Sequence, residues 1–137
     1  MDADDYIPQR YPFKMTDRVV DILPGRSADA LKLLNINDWY FDNQRQNPVM
    51  PKPLAIEALA QTGACALLSS PDYRGQNAYF GGIKRATFKA EFRPGDVLHL
   101  SVKMIRMIHN FGVGRGKIVR NHQVVCTADL IFAVEAK

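Results

Sequence analysis

A nearly uninterrupted apolar stretch, Leu54–Leu68, dominates the hydrophobic pattern of the chain. It consists mostly of Ala, Leu and Ile, and apolar positions fall on nearly every side of a helix drawn through it, which is typical of a buried helix. Pro53 suits the first helical position, where a missing N–H is no loss. We therefore expect a central helix from about Pro53 to Ser69. The side chains expected in the core are Ile56, Leu59 and Leu67.

After this helix the pattern changes to the two-residue alternation of β-strands. The expected strands are 78–83, 85–92, 97–108, 117–120 and 123–134. Gly81 and Gly82 indicate a bulge or a close approach of two backbones. The glycines at 112, 114 and 116 indicate a bend or a bulged start of the strand that continues at Lys117.

The segment before the helix is less regular. Asp17–Asp21 predicts a strand and Pro24-Gly25 a turn. Ser27–Ile36 fits either a helix or a strand that pairs back on residues 19–23. The aromatic run Trp39-Tyr40-Phe41 lies in a polar loop, and we expect it to pack over an edge of the core. One helix followed by an antiparallel sheet is an α+β arrangement.

Length and composition favour a single folded domain, residues 1–137. No apolar run reaches the ~20 residues that a bilayer-spanning helix needs. The acidic start of the chain, Met1–Asp5, does not resemble a secretory signal. Cys65 and Cys126 lie in apolar runs, and two buried thiols without such a signal favour a reducing compartment. We therefore expect a cytoplasmic protein.

The net charge of +4 is mild and favours an acidic partner without requiring a nucleic acid. The chain has no nucleic-acid motif and no metal-ligand spacing. We expect neither a metal nor an organic cofactor, and no nucleic-acid partner.

The central helix carries one charge, Glu57, and Gln61 follows one turn later on the same face. A carboxylate on a buried helix is unfavourable unless it has a partner or a chemical role. Two interpretations remain open at this point. Glu57 belongs to a functional site, or it reaches solvent near the helix start and interacts favourably with the helix dipole.

Four ordered blocks resemble β-hydroxyacyl-acyl carrier protein dehydratases of the FabZ type. The matching blocks are Ile7–Asp17, Asn47–Gln61, Tyr79–Asp96 and Val125–Glu135. The resemblance implies a hotdog fold, in which a curved antiparallel sheet wraps around one long helix. It also implies a homodimer or a trimer of dimers that acts on thioesters of acyl carrier protein or coenzyme A. A further possibility is a mixed pair with a homologous subunit.

By the same resemblance, the site needs a helix glutamate and a histidine from the loop before the helix, contributed by different subunits. Glu57 matches the glutamate, while Asn43 or Gln44 takes the place of the histidine. Neither amide accepts a proton near neutral pH, as a catalytic base must. Pro53 stands where the family directs a backbone N–H at the thioester carbonyl, and it has none to donate.

The resemblance also implies a set of substrate-binding residues. These are Met50, Lys52, Pro53, Gln61, Tyr79, Phe80 and Gly81. Gln9 replaces a histidine of the first block, at a position whose role we expect to be structural. A basic rim for an acidic carrier would comprise Arg45, Lys52, Lys84, Arg85, Lys89 and Arg93. Ordinary solvated charges explain the same residues equally well.

Three functional hypotheses follow. The first is a dehydratase-like protein of fatty-acid or polyketide-type biosynthesis whose ordinary dehydratase activity is weak or lost. The second is an acyl-thioester hydrolase that uses Glu57 with nearby amides. The third is a non-catalytic subunit that pairs with a histidine-bearing homologue.

Overall fold

A computed structural model describes residues 2–44 and 46–135. One α-helix, α1 (Lys52–Leu68), packs against one six-stranded sheet. The strands are β1 (Arg18–Leu23), β2 (Ser27–Leu33), β3 (Ala78–Phe88), β4 (Val97–Ile108), β5 (Phe111–Arg120) and β6 (Gln123–Val134). Short 3-10 helices span Ala3–Asp5 and Trp39–Phe41. The expected α+β class is confirmed.

The strand order in the sheet is β1-β2-β4-β5-β6-β3, and neighbouring strands are antiparallel. Helix α1 lies between β2 and β3 in the chain. Through this helix the chain crosses from β2, next to one edge of the sheet, to β3 at the opposite edge. Strand β3 therefore pairs with β6 alone and leaves its other edge open. This edge lies next to the site described below.

Helix α1 contacts every strand of the sheet, so the sheet curls around it. Ile56, Leu59 and Leu67 are 4%, 0% and 0% exposed, which confirms the expected core. The helix begins at Lys52 and ends at Leu68, within one residue of the predicted bounds. Pro53 occupies the second helical position instead of the first. Its missing N–H is tolerated there because first-turn N–H groups have no acceptor within the helix.

Glycines allow the helix and the sheet to approach closely. A Cβ at Gly63 of α1 would collide with the Phe132 ring of β6, and one at Gly116 of β5 would lie 3.3 Å from the Leu59 methyl groups. A Cβ at Gly114 of β5 would lie 2.9 Å from the Phe132 ring. Of the two alternatives for residues 110–116, the bend is wrong. The irregular strand start has a counterpart, because the register with β4 shifts between Met104 and Arg106, opposite Gly114 and Val113. Strand β5 runs through these glycines, which replace side chains on its inner face.

Strand β3 merges the two strands predicted at 78–83 and 85–92. The two predicted segments form one continuous strand whose register with β6 shifts at Gly81 and at Lys84. The glycine pattern had indicated such a bulge. The strand ends at Phe88 because the chain then turns into the core. Phe92 is 1% exposed, and its carbonyl accepts the Met50 N–H at 2.8 Å. This bond ties the segment that follows β3 to the residues just before α1.

The structure decides between the two interpretations of Ser27–Ile36. Residues Ser27–Leu33 form strand β2, which pairs with β1. Tyr40 and Phe41 are buried as expected, while Trp39 stays 39% exposed and donates its Nε1–H to the Pro12 carbonyl at 3.0 Å.

Both thiols are free and buried. Burial disfavours the thiolate and raises the pKa of Cys65 to about 12 and that of Cys126 to about 11. Within residues 2–44 and 46–135, no helix is long and apolar enough to cross a membrane.

Candidate active site

Glu57 lies half-buried on α1 and is held by Gln61, which is 1% exposed. The Gln61 Nε2 group donates to Glu57 Oε1 at 3.0 Å and to the Phe13 carbonyl at 2.7 Å. Gln61 Oε1 accepts the Met15 N–H at 2.6 Å. Both donor hydrogens and the acceptor of this amide are thus engaged within the chain. One oxygen of Glu57 is fixed as an acceptor, and the other remains available for chemistry.

A narrow crevice of about 20 Å³ opens beside Glu57. Its walls are Gln9, Glu57, Ala60, Gln61, Ala64, Ala78, Phe80 and Phe132. A space of roughly 10–15 Å³ is the minimum for one water molecule, so the crevice of a single chain accommodates a hydroxyl group or a water and not an acyl chain. The amide oxygen of Gln9 is buried and has no hydrogen-bond partner among the described residues.

The loop before α1 places Asn43 and Gln44 differently. Asn43 is exposed. Gln44 donates to the Tyr40 and Val49 carbonyls at 2.9 and 2.8 Å, and its oxygen accepts the Val49 N–H at 2.8 Å. Gln44 therefore holds its own loop closed. Neither side chain lines the crevice of Glu57 within one chain.

The start of α1 offers few backbone donors. Pro51 precedes the helix and Pro53 lies in its first turn, so neither supplies an N–H. The Leu54 N–H donates to the Pro51 carbonyl at 3.0 Å. Within residues 51–54, this leaves the Lys52 N–H as the donor that the helix does not use. The Lys52 ammonium lies 5.4 Å from the centre of the Phe88 ring. Met50, which precedes the helix, is buried.

Only one of the three candidate residues on β3 reaches the crevice. Phe80 forms part of its wall and is 38% exposed. Tyr79 is 54% exposed, and its hydroxyl lies 3.4 Å from Glu135 Oε2. Gly81 is exposed at the bulge.

The structure adds Gln9 to the residues around Glu57. Its position in the first block could have indicated a polar neighbour, but the sequence cannot show that residues 9, 57, 80 and 132 meet. The three histidines lie elsewhere. His99 is exposed on β4, and His109 and His122 occupy turns with φ of 53° and 65°.

The residues of the expected basic rim are not equivalent. Lys84, Arg85 and Lys89 are exposed on or just after β3. Arg93 pairs with Glu91 at 2.7 Å and also donates to the Asn47 carbonyl. Arg45 lies outside the described residues.

The enclosed helix and its glutamate–glutamine pair define a hotdog-fold protein with a candidate site on the central helix. A model of the FabA-like domain matches residues 7–129, and the chain belongs to this family. The resemblance carried by the four sequence blocks is thereby confirmed.

Curated relatives cover most of the chain. The "3-hydroxyacyl-[acyl-carrier-protein] dehydratase FabZ" of Ligilactobacillus salivarius is 46% identical over 129 residues, which are 93% of this chain and 92% of the relative. The protein of the same name from Chloroflexus aggregans is also 46% identical, over 93% of this chain and 90% of its own.

Solved structures show the same fold at low identity. The dehydratase heterocomplex ApeI:P from Xenorhabdus doucetiae matches with a TM-score of 0.79 and 18% identity over 100% of this chain and 93% of that one. The PaaI protein of Escherichia coli matches with a TM-score of 0.69 and 13% identity over 86% and 78% of the two chains. The hotdog fold expected from the sequence is confirmed.

Proposed function

We propose that the protein binds 3-hydroxyacyl and enoyl thioesters of an acyl carrier, at a site completed by a second hotdog subunit, and that its own dehydratase turnover is weak or lost. One observation carries this proposal. Glu57 is the single titratable side chain among the described walls of the crevice, and its polar neighbours there are the amides of Gln9 and Gln61.

Dehydration of a 3-hydroxyacyl thioester needs two proton transfers. A base removes the proton from the α-carbon, and an acid protonates the hydroxyl group as its C–O bond breaks and water leaves. Glu57 can serve either step but not both at once. An amide at Asn43 or Gln44 supplies no second group, and a positioned acid or base typically contributes roughly 10²–10⁴-fold in rate.

Family membership and the printed names of the relatives support an acyl-carrier thioester as the ligand. The helix start also supports binding of the thioester carbonyl, because the Lys52 N–H has no acceptor within the helix. The dipole of α1 adds to the attraction for a polarised oxygen at this end. The next residue, Pro53, has no backbone N–H. One N–H group would therefore bind the thioester carbonyl, and it would do so more weakly than two.

The crevice favours thioester hydrolysis as a second candidate, because its volume suits one water next to Glu57. In that reaction Glu57 takes a proton from water as the water oxygen bonds to the thioester carbon. The C–S bond then breaks, and the thiolate leaves and takes up the proton.

One assay distinguishes these functions. Purified protein is incubated with 3-hydroxybutyryl or crotonyl thioester of acyl carrier protein, and enoyl absorbance and free thiol are followed in the same sample. We expect binding without appreciable change in enoyl absorbance. Thiol release that disappears in Glu57→Gln would establish the hydrolase instead. Glu91→Gln, an exposed position, is the control.

A rapid change in enoyl absorbance with the unmodified protein, absent with the Glu57→Gln variant, would contradict the proposal. Enoyl turnover that rises when the protein is co-expressed with a relative bearing the loop histidine, beyond that of the relative alone, would identify a non-catalytic partner subunit.

A further inference from the structure

Gln9 has an unusual environment for a glutamine. Its amide oxygen is buried and has no hydrogen-bond partner among the described residues. The side chain lies in the crevice beside Glu57, against α1, β3 and β6. Buried polar atoms are nearly always paired, so an exception calls for a donor that comes from outside the chain.

The walls of the crevice offer no such donor. Ala60, Ala64 and Ala78 have apolar side chains, as do Phe80 and Phe132. Both amide hydrogens of Gln61 are already used, one by the Phe13 carbonyl and one by Glu57. An ionised Glu57 is itself an acceptor. Gln9, with an unpaired amide oxygen, and Glu57, with one carboxylate oxygen not held by Gln61, therefore line the same small space.

Two acceptors around a space of about 20 Å³ suit a group that is small and donates hydrogen bonds. A hydroxyl has this size and one donor, and its oxygen can also accept a proton from Glu57. A saturated acyl chain and an enoyl chain have no donor. In the free protein a water can occupy the position, and a ligand hydroxyl that reproduces its hydrogen bonds displaces it without loss.

We infer that Gln9 is a specificity-determining residue whose amide oxygen accepts a hydrogen bond from the 3-hydroxyl group of a 3-hydroxyacyl thioester. This inference rests on the proposed function and names the feature of the ligand that the site selects. The 3-hydroxyl lies between Gln9 and Glu57, and Gln61 keeps the glutamate oriented toward it. Ligands without the hydroxyl leave the Gln9 oxygen unpaired and bind less tightly.

The experiment compares two ligands that differ in one atom. Pantetheine derivatives of 3-hydroxybutyrate and butyrate, with an amide in place of the thioester so that hydrolysis cannot occur, are titrated calorimetrically into the full chain. Leaving a buried acceptor unpaired weakens binding by roughly 5- to 150-fold. We expect the unmodified protein to prefer the hydroxylated ligand by a factor in this range.

Gln9→Met keeps the length of the side chain and removes its amide, and we expect it to bind both ligands alike. Gln123→Met, at an exposed position at the start of β6, is the matched control and retains the preference. Gln9→Ala provides a second replacement should the methionine variant fail to fold. An unchanged preference in the Gln9 variants, or none in the unmodified protein, would overturn the inference alone. Failure of both ligands to bind would overturn the proposed function as well.

Discussion

Three glutamines, two of them beside Glu57 and one in the loop before α1, differ in what their amides contact. Gln44 bonds only to the backbone of its own loop, at Tyr40 and Val49. Gln61 joins α1 to the backbone of residues 13 and 15 and orients Glu57. Gln9 keeps a buried oxygen without a partner. The first two amides are engaged in structure, so only the third is available to a ligand.

Gln44→Ala should lower the free energy of unfolding by about 1–3 kcal/mol, because the carbonyls of Tyr40 and Val49 and the Val49 N–H lose their side-chain partner. Urea denaturation followed by circular dichroism measures the change. Gln46→Ala, two residues further along the same loop and exposed, should leave the midpoint unchanged. Equal midpoints for the two variants would show that the loop does not depend on Gln44.

A histidine in this loop should not by itself restore dehydratase turnover. Asn43→His supplies a base without disturbing the hydrogen bonds of Gln44, but Pro53 still lacks an N–H for the thioester carbonyl. One such donor is worth roughly 10²–10³-fold in rate in a well-studied protease. The triple change Asn43→His, Lys52→Gly and Pro53→Val should be faster than Asn43→His alone. Loss of enoyl absorbance from a crotonyl thioester measures both rates.

The prediction would be contradicted if the Asn43→His variant turned over substrate as fast as an ordinary family member. That result would show that dehydration does not need a backbone N–H at position 53. Glu57→Gln in the triple variant is the control and should abolish what activity is gained.

At the scale of elements, the contact between α1 and the sheet depends on residues without side chains. Gly63 faces the Phe132 ring, and Gly116 faces Leu59. Helix propensity alone favours alanine over glycine by roughly 0.5–1 kcal/mol at a helix interior. Packing opposes that preference here, because the ring of Phe132 occupies the place of the missing Cβ.

Gly63→Ala should therefore destabilise the protein, by about 1–3 kcal/mol, although it improves the helix. Phe132→Leu creates room for the new methyl group, so the double variant should be more stable than the sum of the two single changes predicts. Thermal unfolding of the four proteins in this cycle gives the coupling. Strict additivity, or stabilisation by Gly63→Ala alone, would refute the proposed contact.

At the scale of the molecule, one edge of strand β3 is unpaired, and the strand also carries exposed apolar side chains. Tyr79, Phe80 and Ile83 on this strand are 54%, 38% and 49% exposed. Open strand edges pair readily with a second chain, and symmetric dimers are the commonest assemblies. The homodimer expected from the sequence stays a prediction, and β3 is the edge at which we place it.

Sedimentation velocity at micromolar concentration should show a dimer or a larger symmetric assembly. Ile83→Lys introduces charge on β3 and should shift the protein toward monomer. Val20→Lys, 53% exposed on β1 at the other edge of the sheet, is the matched control and should leave the assembly unchanged. A monomeric unmodified protein would contradict the prediction.

Strands with regular alternation and clear turns were predictable from sequence to the residue. Both Val97–Ile108 and Gln123–Val134 match their predicted bounds, since buried apolar residues alternate with exposed residues, many of them polar, along most of each strand. Sequence reasoning was wrong at glycines, because a glycine can mark a bend or can allow two elements to pack closely. Glycines at 112, 114 and 116 resemble a bend, but they lie within β5 where helix and sheet need space.

The sequence by itself determined the class of fold, the family and Glu57, because a lone charge on an apolar helix and four ordered blocks are local features of the chain. Only the tertiary structure decided which side-chain amides have hydrogen-bond partners within the chain and which ones line the crevice with Glu57. Gln9, Phe80 and Phe132 meet Glu57 at one crevice although they are far apart in the chain. Such proximity depends on the order of strands in the sheet and on the path of the N-terminal segment, which no local pattern specifies.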